Sequence, residues 1–239
     1  MIYVVSDLHG CPPEWLFGLL EKVGFSNSDF LFVLGDVIDR GEHGVQLLRW
    51  MAEQPNVQLI LGNHEAMLLA CAFLFEEVTE ESVARLGPYQ IAQYQNWLEN
   101  GGEPTVAGLN ALAKEQPDVL EGLLDYVRCA PLYEVVEASG RKFVLVHSGL
   151  EHFDPEKPLD AYDPNDLLWA RPDFDTRYYD DAMTVFGHTP TILFGPQFRG
   201  RAIRTDTWIC IDAGVVADFH PMLLRLDDLQ EFYDAPPKM

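Results

Sequence analysis

Short apolar runs alternate with segments of helical periodicity in the first third of the chain. Three runs, at residues 2–5, 30–34 and 57–61, are rich in β-branched and aromatic side chains, which is typical of buried strands. Apolar residues at helical spacing follow Pro12-Pro13, and others lie within residues 45–51. This order predicts a parallel sheet, and ligands are expected at the carboxyl ends of its strands.

The rest of the chain predicts a helical stretch and then a second set of strands. Residues 66–75 and 111–127 have helical periodicity, and we expect a helical insertion over about residues 66–130, a candidate cap over the site. Later strands include a hairpin at Ser139-Gly140. They cover residues 132–136, 142–147, 183–186, 207–211 and 222–226. We interpret residues 1–239 as one α/β domain.

Residues that commonly bind metal ions follow these apolar runs. They are Asp7, His9, Asp36, Asn63, His147 and His188. Because parallel strands end at one edge of a sheet, the first four side chains should converge, and the Asp36 carboxylate could bridge two cations. Oxygen and nitrogen ligands without thiolate favour manganese, iron or zinc. The sequence therefore predicts a centre of two divalent metal ions, with manganese preferred.

Three further residues suit the hydrolysis of a phosphate ester at such a centre. Two metal ions about 3.5–4 Å apart can hold a phosphate and activate a bridging hydroxide for in-line attack. The departing oxygen then needs a proton, which His64 can supply, and Asp39 is placed to orient the His64 ring. Arg40 suits the phosphate, because a guanidinium pairs with it through two hydrogen bonds.

Simpler structural roles compete with these assignments. A lone aspartate at a strand end usually caps a turn, and Asn63 can cap the helix that follows it. His147 and His188 could be core histidines with satisfied hydrogen bonds. The recurrence of such residues after several apolar runs favours the metal centre, whereas Glu65 is interpreted as structural.

Three sequence blocks resemble those of the phosphoprotein phosphatase family of calcineurin-like metallophosphoesterases. They are Asp7-Leu8-His9-Gly10, Gly35-Asp36-Val37-Ile38-Asp39-Arg40-Gly41 and Gly62-Asn63-His64-Glu65. The resemblance covers residues 3–214 and is greatest to bacterial and phage serine/threonine-type members. Ser6 and Ser148 depart from it, since both stand where glycine is usual.

The resemblance implies a fold and a role for each candidate residue. The fold would be a β-sandwich flanked by helices, with four layers. One metal ion would be bound by Asp7, His9 and Asp36, and the other by Asp36, Asn63, His147 and His188. The catalytic residues would be His64 as general acid, Asp39 as its partner, and Arg40 and Arg171 as phosphate clamps.

The expected substrate is a phosphorylated protein or peptide, dephosphorylated at serine or threonine. One alternative is a symmetrical dinucleoside tetraphosphate hydrolase, in which the acid before the arginine is typically lost; the intact Asp39-Arg40 pair favours the protein phosphatase. A second alternative is a regulatory module that binds phosphorylated partners without turnover. The presence of Asp36, Asp39 and His64 argues against such a module.

Composition narrows the class of partner and the cellular compartment. The formal net charge of −22 disfavours nucleic acid and anionic membranes as partners, and it requires a locally positive site for any phosphate. The four cysteines form no C-x-x-C pair, which indicates free thiols in a reducing compartment. No signal peptide is evident, and we expect a cytoplasmic protein. The oligomeric state stays open, and a monomer is compatible with the sequence.

Overall fold

A computed structural model describes residues 1–234, which form ten strands and eight α-helices. The strands are β1 Ile2–Val5, β2 Phe30–Val33, β3 Val57–Leu59, β4 Tyr133–Ala138, β5 Arg141–Val146, β6 Met183–Phe186, β7 Ile203–Arg204, β8 Trp208–Cys210, β9 Met222–Arg225 and β10 Gln230–Tyr233. The helices are α1 Pro13–Lys22, α2 Gly44–Glu53, α3 Asn63–Ala70, α4 Glu80–Ala84, α5 Pro88–Glu99, α6 Glu103–Glu115, α7 Pro117–Arg128 and α8 Pro164–Leu168.

The first sheet has the strand order β10-β9-β1-β2-β3. Strands β1, β2 and β3 are parallel, as their separation by helical segments predicted, and Val4 lies opposite Phe32. Strands β9 and β10 add an antiparallel edge. Because β1, β2 and β3 point the same way, the loops that follow them open at one edge of the sheet.

The second sheet has the order β4-β5-β6-β8-β7 and is also mixed. The β4–β5 hairpin turns at Ser139 and Gly140, both with positive φ (49° and 74°), as a two-residue turn of this kind requires. Strands β5, β6 and β8 are parallel, and β7 pairs antiparallel at the edge. Residues after β5 and β6 therefore reach the same end of the molecule.

Apolar side chains from both sheets form one shared core. Val4 and Phe32 of the first sheet belong to the same buried cluster as Phe143, Leu145 and Val185 of the second. A larger cluster joins the other face of the first sheet to the surrounding helices. This arrangement confirms the predicted α/β fold, with two packed sheets flanked by helices.

Differences from the expected elements are local. Residues 103–128 form two helices instead of one, because Pro117 begins α7 and cannot donate the backbone hydrogen bond that would continue α6. Strands β7 and β10 were not anticipated, since one is two residues long and the other begins with two polar residues. Within residues 1–234, no helix is both long and apolar enough to cross a bilayer.

Candidate metal and phosphate site

The loops after β1, β2 and β6 adopt a strained backbone. Hydrogen bonds join the first two loops, from the Asp7 amide to the Gly35 carbonyl (3.1 Å) and from the His9 amide to the Asp36 carbonyl (2.8 Å). Left-handed φ angles, which cost energy in residues other than glycine, recur at the candidate positions. They are found at Asp7, His9, Asp36, Asp39, Arg40 and His188. Such strain is typical of functional sites, and in these three loops it falls on residues singled out by their chemistry.

Glu65 fastens the loop after β2 to the helix that follows β3. This buried carboxylate accepts hydrogen bonds from the amides of Asp36 and Val37, each at 2.8 Å, and from that of Gly62 at 3.2 Å. The interpretation of Glu65 as structural fits these contacts. Gly35 and Gly62 are needed beside it, because a side chain at Gly35 would collide with the Gly62 backbone.

The lone pairs around His147 converge on one point. The His147 ring donates Nδ1–H to the Leu34 carbonyl (2.7 Å), which leaves Nε2 as an acceptor. This Nε2 lies 2.8 Å from Asn63 Oδ1, 3.2 Å from His188 Nδ1 and 3.4 Å from Asp36 Oδ1. An imidazole nitrogen that faces an amide oxygen and a carboxylate oxygen at these distances is the arrangement that a cation would stabilise.

A second convergence involves His9 on the other oxygen of Asp36. His9 Nδ1 faces the Ile38 carbonyl (3.2 Å), and Nε2 lies 3.7 Å from Asp36 Oδ2. His64 Nε2 lies 3.9 Å from the same oxygen. Ligand atoms of His9, Asp36 and His64 thus form one candidate group, and those of Asp36, His147 and His188 form another. Asp36 is common to both, as a bridging ligand requires.

Asp7 is placed differently from the other predicted ligands. Both of its carboxylate oxygens accept the His188 amide, at 3.1 and 2.9 Å, and Asp7 belongs to neither candidate group. Burial, reinforced by Asp212, raises the pKa of Asp7 to about 8. Burial also raises the pKa of Asp36 well above its usual range and that of Asp212 to about 7. These buried carboxylates need positive charge nearby to ionise.

Burial favours the neutral form of three histidines of the site. Burial lowers the pKa values of His9, His147 and His188. A neutral imidazole is the metal-binding form, and a carboxylate beside a cation stays ionised. The donor set therefore fits two divalent ions. Bound there, they would supply positive charge to phosphate oxygens and lower the pKa of a water molecule.

His64 and Asp39 form a buried pair beside this centre. His64 Nδ1 lies 2.6 Å from Asp39 Oδ2, and Arg40 Nη2 lies 3.3 Å from His64 Nε2. Burial lowers the pKa of His64, but Asp36 and Asp39 outweigh it, so the net pKa is raised. This arrangement can hold a proton on the ring and direct Nε2 towards a substrate oxygen.

Asp39 is itself held by the helical segment, which the sequence did not reveal. Trp97 Nε1 donates to Asp39 Oδ2 (2.8 Å), and the Thr105 hydroxyl donates to Asp39 Oδ1 (2.6 Å). The Arg40 amide donates to the Gly101 carbonyl at 2.8 Å. Helices α5 and α6, with the turn between them, therefore fix the backbone and carboxylate that orient His64.

Thr105→Val is expected to lower the free energy of unfolding by about 1–3 kcal/mol, because it removes two hydrogen bonds from buried Asp39. The kcat should also fall, with metal content unchanged. Thr184→Val is the matched control: Thr184 is fully buried, and its hydroxyl has no partner among the described residues. Chemical denaturation and metal analysis of both variants test this; equal stability losses would contradict it.

A cavity of about 200 Å³, the Arg171 cavity, opens beside the metal ligands. Its lining includes Arg40 and Arg171, so the structure brings the two predicted phosphate clamps to one space. Trp169 also lines it; this ring is 41% exposed and lies edge-on to His188, with centroids 5.8 Å apart. Trp169 and Asp212 were not predicted as site residues, although Trp169 stands two positions before Arg171.

Comparisons with known proteins place the chain in a family. A model of the calcineurin-like phosphoesterases matches residues 1–229. The symmetrical bis(5'-nucleosyl)-tetraphosphatase of Actinobacillus pleuropneumoniae is 28% identical, with 96% of this chain and 97% of that protein covered. The asymmetrical bis(5'-nucleosyl)-tetraphosphatase PrpE of Halalkalibacterium halodurans is 26% identical, with 98% and 93% covered.

Solved structures agree on the fold. One assigned provisionally to a diadenosine tetraphosphatase has a TM-score of 0.62 at 19% identity, covering 97% of this chain and 91% of that one. A cold-active protein-tyrosine phosphatase from a psychrophilic Shewanella has a TM-score of 0.53 at 16% identity, covering 98% and 80%. At these identities the likeness concerns the fold alone.

Proposed function

The chain belongs to the calcineurin-like phosphoesterase family, and on that premise we propose that it hydrolyses dinucleoside tetraphosphates. The observation that carries the proposal is similarity over nearly the whole chain to proteins named bis(5'-nucleosyl)-tetraphosphatases. It supports the alternative raised from the sequence over dephosphorylation of proteins. The two metal ions, the ligand set and the roles of His64, Asp39, Arg40 and Arg171 are part of the same proposal.

The intact Asp39-Arg40 pair does not distinguish the two substrate classes, for a physical reason. Its carboxylate contacts His64, Trp97 and Thr105, all of which are buried. Asp39 therefore acts on the orientation of His64 and does not reach the part of a substrate that distinguishes a nucleotide from a peptide. An intact Asp39-Arg40 pair is compatible with either class.

The Arg171 cavity suits a polyphosphate chain that carries a nucleoside. Arg40 and Arg171 can neutralise several phosphate oxygens, and the exposed Trp169 ring offers a surface on which a base can stack. In symmetrical cleavage, a water oxygen bonds to the phosphorus of an inner phosphate as the bridging P–O bond breaks. One nucleoside diphosphate leaves with the bonding electrons, and the water supplies its oxygen to the other.

Dephosphorylation of phosphoserine or phosphothreonine is kept as a second candidate because of the His64–Asp39 pair. An alkoxide leaving group needs a proton, which an oriented histidine can deliver. The Asp39 contact at 2.6 Å and the raised pKa of His64 support that role. Loss of a diphosphate depends less on an acid, because its oxygen is a weak base.

A comparison of substrates in manganese tests the proposal. We expect kcat/KM for diadenosine tetraphosphate to exceed that for a phosphoserine or phosphothreonine peptide by at least about tenfold, a difference of about 1.4 kcal/mol in transition-state binding. Chromatography should show ADP as the sole nucleotide product. ATP and AMP would instead indicate asymmetrical cleavage. Preference for the peptides would contradict the proposal and favour a protein phosphatase.

A further inference from the structure

A second cavity of about 340 Å³, the Trp15 cavity, adjoins the metal ligands on another side. It shares His9 and Arg40 with the Arg171 cavity, so both cavities lie beside these two residues of the candidate metal centre. The other residues that line the Trp15 cavity have no role in the predicted metal centre. A polyphosphate held at Arg40 would therefore have space at both of its ends.

The wall of the Trp15 cavity combines an aromatic ring with apolar and acidic groups. Trp15 stacks on His220 with ring centroids 3.9 Å apart and an angle of 16° between the planes, which covers one face of the indole and fixes its orientation. Val216 is 41% exposed and lines the same space. The carboxylates of Glu42 and Asp218 are also exposed there.

We propose that the Trp15 cavity binds the second nucleoside of the substrate, an inference that rests on the proposed function. The base packs between Trp15 and Val216, because stacking on aromatic rings accepts any nucleobase. The ribose hydroxyls donate to Glu42 or Asp218, as they do to acidic residues in other nucleotide sites. The first nucleoside lies at Trp169, and the phosphates lie between, at Arg40.

The charges of the cavity favour a nucleoside over a further phosphate. Glu42 and Asp218 would repel an anion, whereas a sugar supplies neutral donors that carboxylates accept. Arg40 marks the boundary, since it lines both cavities and can pair with phosphate. A dinucleoside polyphosphate matches this order of surfaces, because its bases suit the apolar walls, its phosphates suit Arg40 and its ribose suits the carboxylates.

Two substitutions in the Trp15 cavity test the subsite. Trp15→Ala removes the stacking surface, and Val216→Glu places a charged chain in the cavity from an exposed position that should not disturb folding. Each should raise KM for diadenosine tetraphosphate roughly 10- to 100-fold, the range expected for loss of one stacked base. Calorimetry with a methylene-bridged, non-hydrolysable analogue should show the same loss in Kd. Hydrolysis of p-nitrophenyl phosphate should change less than about twofold.

Val135→Glu is the matched control, because Val135 is 42% exposed and lies on β4, at the edge of the second sheet. Unchanged KM and Kd in both cavity variants, with active wild-type protein, would overturn the subsite and leave the proposed function standing. Wild-type protein that hydrolyses p-nitrophenyl phosphate but not the dinucleotide would overturn both. Losses confined to a phosphopeptide with basic flanking residues would assign the cavity to peptide, against this inference.

Discussion

Asp36→Asn is expected to lower the rate of substrate hydrolysis by on the order of 10³-fold or more. Asp36 is the residue that both candidate groups of metal ligands share, so its loss weakens both at once. Charge stabilisation by metal ions contributes several kcal/mol, and about 1.4 kcal/mol corresponds to a factor of ten in rate. Metal analysis should show fewer than two ions per chain, and steady-state kinetics should show the loss in kcat.

The same substitution should stabilise the metal-free protein. Burial raises the pKa of Asp36, so ionising it without a cation is unfavourable, and a neutral amide removes that cost. Chelated Asp36→Asn protein should therefore have a higher Tm than chelated wild type. Asp181→Asn, at an exposed carboxylate on the surface, should change neither Tm nor rate. Full activity after exhaustive chelation would eliminate the two-metal centre.

Sequence patterns recovered the scaffold of the site because local rules govern it. Strand β1 and strand β2 are apolar runs that end in a turn, and parallel strands bring their carboxyl ends together regardless of the details of packing. The sequence alone therefore predicts that Asp36 and Asn63 lie near each other. His147 and His188 come from the second sheet, and the resemblance to a family was needed to assign them to the same centre.

Side chains that support the site from a distance in sequence could not be predicted. Trp97 looks like a core residue of an amphipathic helix, and it is fully buried, but its indole N–H reaches Asp39 across 58 positions. Thr105 contacts the same carboxylate from 66 positions away. Helical periodicity reports which face of a helix is buried, and it carries no information on which polar atom lies opposite.

Substrate class was the least predictable property. The motifs predict metal ligands and an acid around a phosphate, whereas Trp169 and Trp15 lie outside the motif blocks and line the surrounding spaces. Neither tryptophan is distinctive in the sequence, and Trp169 becomes informative only when the fold places it in a cavity lined by Arg40 and Arg171. The sequence therefore predicts hydrolysis of a phosphate ester, but it does not identify the group attached to the phosphate.

His64→Asn separates the two candidate substrates by the chemistry of their leaving groups. Its kcat/KM for a phosphoserine peptide should fall roughly 10²- to 10⁴-fold, because the serine oxygen departs as a strong base unless it is protonated. The loss for diadenosine tetraphosphate should be about tenfold or less, since a phosphate oxygen with a pKa of about 6 leaves without full protonation. His152→Asn is the control, because that imidazole is 77% exposed and paired with Asp166. Equal losses on both substrates, with metal content intact, would mean that His64 binds the phosphate and does not act as an acid.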